Sequence, residues 1–252
     1  MKKVIYYLLP LFMLAFFVQP VYAQFEGKIT FNEYDYSAKG SKQKQDQFTM
    51  YITPDRILLQ GDKDYKVMGS IRTEGILVRL DFKDFVFLTG DSKVLKISKS
   101  DINSMMNMFG DDNSSSQSNA GTDKIDYDKT GETKTIQGYK CEKFVFHDKD
   151  HETKKTVVWM TKGIDVNWGM LAEPWGNNVD NMITGDFPTD LIFKEKYFPL
   201  KADSYEDDEL ASTIEASEVK KSSIARAMVQ VPSGVKVLSF QDYLFQKMSD
   251  QQ

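Results

Sequence analysis

The chain has 252 residues, a formal net charge of -5, 41% hydrophobic residues and 27% charged residues. An acidic surface with lysine and glutamate interleaved repels phosphate backbones and anionic headgroups, which argues against nucleic-acid binding and against steady contact with a membrane surface. The length allows a hydrophobic core that needs no covalent cross-links. The single cysteine, Cys141, can form no internal disulfide.

The first 23 residues have the pattern of a cleavable export signal. Lys2 and Lys3 precede an apolar run over residues 4–18, and residues 21–23 (Val-Tyr-Ala) place small side chains where a signal peptidase cleaves. Cleavage there leaves Gln24, not a cysteine, at the start of the mature chain, so no lipid anchor is expected. No later stretch reaches the roughly 18 apolar residues that a membrane-spanning helix needs. The sequence therefore predicts a periplasmic or secreted protein that does not span the membrane.

Residues 25–97 predict a meander of antiparallel strands. Short runs rich in aromatic and β-branched residues alternate with turn clusters, for example at residues 37–44, 53–55 and 61–64. Phe48, Met50 and Ile52 alternate with polar neighbours, so this strand has one apolar face. In the first strand the apolar and aromatic residues stand at odd positions up to Phe31 and at even positions from Tyr34. This slip in the alternation predicts a bulge near Asn32.

Helices are predicted between the strands. Residues 101–109 have apolar side chains at helical spacing after Ser100, and a second helical segment is predicted over residues 165–182, broken near Pro174. Residues 111–123 are acidic and rich in serine, asparagine and glycine, which predicts a disordered loop. Further strands are predicted at residues 133–136, 139–147, 155–161, 191–197, 200–205, 209–219 and 235–238, and Ser239 is expected to cap a final helix over residues 240–248.

A resemblance to a known family rests on residues 130–145, Thr-Gly-Glu-Thr-Lys-Thr-Ile-Gln-Gly-Tyr-Lys-Cys-Glu-Lys-Phe-Val. This stretch resembles the signature of a bacterial envelope family known as domain of unknown function 4412. Residues 25–30 resemble the family's opening strand, and residues 158–162 resemble the strand that follows the Gly-Tyr-Lys-Cys element.

The family is similar, more distantly, to the periplasmic carriers of lipoproteins. That resemblance implies a mainly β (α+β) fold over residues 24–252, in which a curved, incomplete antiparallel β-barrel is covered by short helices. It also implies an apolar cavity between sheet and helices that holds acyl chains. The expected ligand is therefore a lipid or another hydrophobic small molecule.

The methionine- and tryptophan-bearing segments are the candidate lining of such a cavity, because methionine and aromatic side chains offer deformable apolar surface. The candidate ligand-binding residues are Met105, Met106, Phe109, Trp168, Leu171 and Trp175. A second interpretation stays open, in which these side chains only fill a core. In that case the protein is a structural or protein-interaction module of the cell envelope, whose edge strands or acidic loop bind a protein partner.

Catalytic and metal-binding motifs are absent from the sequence. Cys141 is interpreted as a buried, inert thiol. His147 and His151 have the spacing of a helical zinc site but flank a predicted turn, so a solvated turn is the preferred interpretation. No phosphate-binding loop, nucleophile elbow or His-Glu-x-x-His element occurs, and neither an enzymatic activity nor a cofactor is expected.

Overall fold

A computed structural model of the protein describes residues 24–36, 41–67, 71–90, 92–102, 104, 127–148, 151, 153–173 and 188–249. The predicted export signal at residues 1–23 and the predicted disordered loop at residues 111–123 lie outside the described residues.

Twelve β-strands form one sheet. They are β1 (Gly27–Tyr36), β2 (Lys42–Ile52), β3 (Arg56–Val67), β4 (Ile71–Arg79), β5 (Asp84–Leu88), β6 (Lys93–Ser98), β7 (Tyr127–Ile136), β8 (Tyr139–His147), β9 (Lys154–Thr161), β10 (Phe198–Glu206), β11 (Glu209–Lys221) and β12 (Lys236–Ser239). The order across the sheet is β12-β6-β5-β4-β3-β2-β1-β11-β10-β9-β8-β7. Because β12 and β7 lie at its two ends, the sheet is not closed. The predicted mainly β class with an incomplete sheet is confirmed.

Neighbouring strands are antiparallel, except that β12 runs parallel to β6. The predicted irregularity in the first strand is confirmed, since the register of β1 shifts between Thr30 and Phe31 against β11 and between Glu33 and Tyr34 against β2. Such bulges bend a strand and increase its twist. They lie in the centre of the sheet, where bending has the largest effect on its shape.

The sheet is curved, as predicted. β4 and β10 lie five positions apart, which would be about 24 Å in a flat sheet with strands about 4.8 Å apart. One short segment nevertheless contacts both, because Gly169 lies against Leu80 at the end of β4 and the ring of Trp168 stacks on Phe198 of β10. The β7–β8 hairpin bends in the same sense, since Gln137 Nε2 donates a 3.2 Å hydrogen bond to the Ala216 carbonyl oxygen in β11.

The helical elements are short. A helix begins at Lys99, 3-10 turns form at Gly169–Ala172 and Arg226–Val229, a π-helical turn forms at Asp190–Lys194, and the last helix, α1, covers Phe240–Ser249. Of the described residues, no helix combines the length and the apolar character needed to cross a membrane.

Two of the three predicted helices carry capping interactions at their starts. Ser239 Oγ accepts from the Asp242 backbone N–H at 3.2 Å and donates to Asp242 Oδ2 at 2.7 Å, so the predicted cap of α1 is confirmed. In the earlier helix the cap is Ser98 rather than Ser100, because Ser98 Oγ accepts from the Asp101 N–H at 3.1 Å.

Two predicted elements are wrong where the structure describes them. Of the predicted helix at residues 165–182, only residues 165–173 are described; there, residues 165–168 are not helical and Gly169–Ala172 form a 3-10 turn, because the Asn167 side chain accepts the Gly169 N–H and Gly169 has a positive φ of 45°. The predicted strand at residues 191–197 is the π-helical turn Asp190–Lys194, in which the Glu195 N–H donates to the Asp190 carbonyl oxygen. The following strand therefore starts at Phe198.

A strap formed by residues 222–235 covers the outer face of β3 to β6. Its side chains Ile224, Val229, Val231 and Val235 pack against a cluster of Leu58, Leu77, Val86 and Val94. The strap leads from β11, beside β1, to β12 at the far edge of the sheet. The β3–β6 half of the sheet consequently has apolar contacts on both faces.

Candidate functional site

The inner face of the sheet, from β11 through β1 to β6, is lined by apolar side chains. Cross-strand pairing aligns one row of Val219, Ile29, Met50, Leu59, Ile76, Phe87 and Leu95. A second row, Ile52, Ile57, Val78, Phe85 and Ile97, runs beside it. Side chains two residues apart on a strand share a face, so the two rows form one continuous surface, here called the apolar face.

Part of the apolar face is incompletely covered. Some of its side chains are covered, with Ile29 and Ile97 both fully buried. In its middle, the large side chains Phe48, Met50, Leu59 and Ile76 are only half-buried. The ring of Phe48 stacks on Phe31 at 5.1 Å, which extends the apolar surface by a third row. Apolar surface that stays accessible inside a bent sheet is typical of a ligand site.

Residues 164–173, called the covering segment, pack on this face. Ile164, Val166 and Met170 are buried in the same cluster of side chains as Ile29 and Ile57. Met170 is 1% exposed. The half-buried side chains Phe48, Met50 and Ile76 pack against this same cluster, so the covering segment and the apolar face form adjacent walls of the candidate site.

Polar contacts hold both ends of the covering segment in place. The Phe25 N–H donates to the Asp165 carbonyl oxygen at 2.7 Å, and Asn167 Nδ2 donates to the Pro54 carbonyl oxygen at 2.7 Å. At the other end, Glu173 forms ion pairs with Lys83 at 2.9 Å and Lys99 at 3.3 Å. Hydrogen bonds from these two lysines lower the pKa of the Glu173 carboxyl.

The candidate residues Trp168 and Leu171 lie on the covering segment. The Trp168 ring stacks on Phe198 at 6.2 Å and contacts the edge of Phe193 at 5.8 Å. Both candidate residues are half-buried and pack against the cluster that contains Ile29. Leu171 also contacts the neighbouring cluster of Phe87, Leu95, Ile97 and Ile102. The other four candidates, Met105, Met106, Phe109 and Trp175, lie outside the described residues.

Sequence reasoning did not assign Phe48, Met50, Leu59 and Ile76 to the site. Phe48 and Met50 alternate with polar neighbours in the sequence, whereas Leu59 and Ile76 have apolar neighbours, and only the register between strands aligns the four in adjacent positions. Apolar residues recur at every second position of consecutive strands, and this pattern could have identified them.

Cys141 is fully buried, as predicted. Burial raises the pKa of its thiol, and Sγ donates weakly to the Tyr139 carbonyl oxygen at 3.5 Å. A buried thiol with a raised pKa is a poor nucleophile.

His147 and His151 bind separate carboxylates. His147 Nε2 lies 3.1 Å from Asp128 Oδ2, and His151 Nδ1 lies 3.3 Å from Asp148 Oδ2. Within the described ranges, no group of three or more His, Cys, Asp or Glu side chains is placed to hold a metal ion.

The profile of the family described as Domain of unknown function (DUF4412) matches residues 87–235, which is more than half of the chain. The resemblance at residues 130–145 is thereby confirmed, whereas the resemblance at residues 25–30 lies outside the matched range. No curated protein matches the chain in sequence.

Several solved structures have a partial likeness to this fold. PNGF-II matches with a TM-score of 0.46 and 16% identity over 88% of this chain and 32% of its own. An uncharacterized conserved protein from Thermus thermophilus matches with a TM-score of 0.40 and 7% identity over 85% of this chain and 91% of its own. MucB of Pseudomonas aeruginosa, in complex with MucA, matches with a TM-score of 0.39 and 10% identity over 84% of this chain and 58% of the matched chain. The chain spans about a third of the length of PNGF-II.

Proposed function

The chain belongs to the family of the domain of unknown function 4412, and we propose that it is an exported protein that binds a lipid or another hydrophobic molecule between the apolar face and the covering segment. The proposal includes neither a catalytic step nor a cofactor. The resemblance to periplasmic lipoprotein carriers, which implies such a ligand, agrees with it.

One observation carries this proposal. The apolar face is continuous across seven strands, yet its central side chains Phe48, Met50, Leu59 and Ile76 are only half-buried. A core that served stability alone would bury its largest side chains fully, because each gains about 1.5–3 kcal/mol from complete burial. Half-buried side chains of this size leave apolar area for a guest molecule.

The physical basis of binding is exclusion of water. An acyl chain gains roughly 0.8 kcal/mol for each methylene that leaves water. Methionine side chains adjust to guests of different shape, because Met is unbranched, has three rotatable bonds and carries a polarizable thioether. Binding of this kind needs no dedicated polar contact and tolerates variation in chain length.

The test uses two adjacent residues on opposite faces of β3. Leu59 belongs to the apolar face, whereas Gln60 is exposed on the other side. We expect Leu59→Asp to reduce the uptake of a fluorescent fatty acid by at least about tenfold, because an unpaired carboxylate in an apolar contact costs several kcal/mol. Gln60→Asp should take up the fatty acid like the wild type.

Urea unfolding of both variants, monitored by circular dichroism, separates a loss of binding from a loss of folding. The proposal is contradicted by a wild-type protein that takes up no fatty acid, or by folded Leu59→Asp protein with unchanged uptake.

A second candidate function is supported by strand β7. It is an end strand of the sheet, and its residues from Asp128 to Thr133 are all exposed. An exposed edge strand can pair with an extended segment of another protein. An envelope protein partner bound there would slow amide hydrogen exchange in β7, and the purified protein would contain no lipid.

A further inference from the structure

The first residue of the predicted mature chain has a side chain that can react with its own amino group. Cleavage after Ala23 leaves Gln24 at the start, so that a free α-amino group and a side-chain amide belong to one residue. Because cleavage creates this amino group, its modification rests on the proposed export of the chain.

Phe25 fixes the chain immediately after this residue. It is 3% exposed and belongs to the same buried cluster as Ile164 and Val166 of the covering segment. Its N–H donates to the Asp165 carbonyl oxygen at 2.7 Å, and a Cβ atom at Gly27 would lie 3.0 Å from its ring. The packed structure therefore begins at the second residue of the predicted mature chain, since such contacts hold a terminus in place.

Gln24 itself is exposed. Among the residues that the structure describes, none forms a hydrogen bond or an ion pair with its side chain. The side chain can therefore fold back on the nitrogen of the same residue. Rotation about the bonds of Gln24 alone brings the two groups together, so the fixed position of Phe25 does not oppose ring closure.

We propose that Gln24 of the mature chain cyclises to pyroglutamate. The neutral α-amino nitrogen attacks Cδ of the side-chain amide and forms a five-membered lactam, while the bond between Cδ and Nε2 breaks. The attacking nitrogen gives up one proton, Nε2 takes it and leaves as ammonia, and Oε1 stays as the lactam oxygen. An α-amino group is less basic than a lysine side chain, so part of it is neutral near pH 7. The step needs no oxidant and no second reactant.

The modification changes the charge and the accessibility of the terminus. A lactam nitrogen carries no positive charge, and aminopeptidases require a free α-amino group. Trimming of an unmodified chain would reach Phe25 after one residue. Loss of Phe25 would remove its hydrogen bond to Asp165 and its ring from the buried cluster. Cyclisation thus protects the contact between the start of the chain and the covering segment.

The experiment expresses the full-length precursor in a bacterial host and isolates the exported protein. Intact mass spectrometry of the untreated protein excludes ring closure during digestion, and peptide mass spectrometry then locates the change. We expect a chain that begins at residue 24 and is lighter by one ammonia than the unmodified chain. After denaturation, Edman degradation should fail until pyroglutamyl aminopeptidase removes the first residue.

Gln24→Asn is the matched control. Its side chain is one methylene shorter and would have to close a strained four-membered ring, so we expect the variant to keep a free amine and to lose no ammonia. A blocked amine in this variant as well would overturn the proposal, because the block would then not arise from the glutamine side chain.

The wild-type result separates this proposal from the proposed export. A mature chain that begins with unmodified Gln24 overturns the cyclisation and leaves the export intact. A chain that still contains residues 1–23, or that begins at another residue, overturns both the cyclisation and the predicted cleavage. Fatty-acid uptake is measured separately and does not depend on any of these results.

Discussion

Tyr197 connects three strands through one hydroxyl group. Its ring is 2% exposed and packs edge-on against Phe144 at 5.0 Å. Its hydroxyl accepts from Lys129 Nζ at 2.9 Å and donates to Glu142 Oε2 at 2.8 Å. The Tyr197 hydroxyl therefore connects the start of β10 to Lys129 of β7 and to Glu142 of β8.

This contact makes stability depend on pH in a defined direction. Hydrogen bonds from Lys129 and Tyr197 lower the pKa of the Glu142 carboxyl from its usual 4.5. A lowered pKa in the folded state means that the stabilisation is present above about pH 4.5, the unfolded value, and is lost as pH falls through the folded value.

We therefore expect Glu142→Gln to be less stable than the wild type at pH 7 and nearly equal to it at pH 2. The measurement is the free energy of unfolding in urea at both pH values. Glu132→Gln is the control, since its exposed pair with Lys143 should contribute less than about 1 kcal/mol. A difference between Glu142→Gln and the wild type that persists unchanged at pH 2 would refute this account.

At the scale of elements, Gly169 determines how the covering segment lies on the sheet. Its φ is 45°, and a Cβ atom at this position would lie 3.1 Å from Leu80 Cβ. Any other L-residue has a steric cost of about 1 kcal/mol at positive φ. The close approach to Leu80 adds to that cost.

We expect Gly169→Ala to loosen the covering segment and to lower the stability by about 1–3 kcal/mol. Gly131→Ala is the matched control, because Gly131 also has a positive φ, of 79°, but nothing lies within 4 Å of the position that a Cβ atom would occupy there. Amide hydrogen exchange of residues 164–173 reports the effect directly. Equal destabilisation by both substitutions, with no faster exchange in the covering segment, would show that the contact with Leu80 is unimportant.

Elements with strong local patterns could be predicted from the sequence. The strand at Tyr139–His147 has the predicted bounds, and Ser239 caps α1 as expected. The segment at residues 191–197 could not be predicted, because Leu191 and Ile192 are apolar and buried, and a short apolar run is compatible with a strand or a helical turn. Its helical turn is closed by backbone hydrogen bonds, such as that from the Glu195 N–H to the Asp190 carbonyl oxygen at 3.0 Å, and these have no sequence signal.

The candidate site was predictable only in part, because it depends on pairing between strands that are distant in the sequence. Trp168 and Leu171 were expected to be ligand-binding residues from the composition of their segment, and both lie against the apolar face. The half-buried residues Met50, Leu59 and Ile76 come from three strands, and their alignment depends on register. Register is set by long-range pairing, so a single strand's sequence does not contain it.

At the scale of the whole molecule, the strap closes the outer face by crossing the sheet. Arg56, which is 6% exposed, donates to the Val229 carbonyl oxygen at 3.1 Å and to Asp81 Oδ2 at 3.1 Å. The arginine therefore connects β3 both to the strap and to the turn after β4. Neither this contact nor the parallel pairing of β12 with β6 has a local sequence signal.

We expect Arg56→Ala to reduce the free energy of unfolding by about 2–4 kcal/mol, because it removes a buried charged donor from two acceptors. Arg226→Ala is the control, because Arg226 forms an ion pair with Asp55 at 3.2 Å but its side chain is 64% exposed, so the pair should contribute less than about 1 kcal/mol. Urea unfolding and amide exchange in residues 222–235 measure both. Similar losses for the two variants would contradict the role assigned to Arg56.

The central claim, that a hydrophobic guest lies between the apolar face and the covering segment, is tested most directly by photo-crosslinking. A fatty acid that carries a diazirine on its chain is bound, irradiated and located by peptide mass spectrometry. We predict adducts on residues 48–59 of β2 and β3 and on residues 164–173, and their loss when unlabelled fatty acid competes. Adducts confined to other parts of the chain, or no adducts that compete, would contradict the claim.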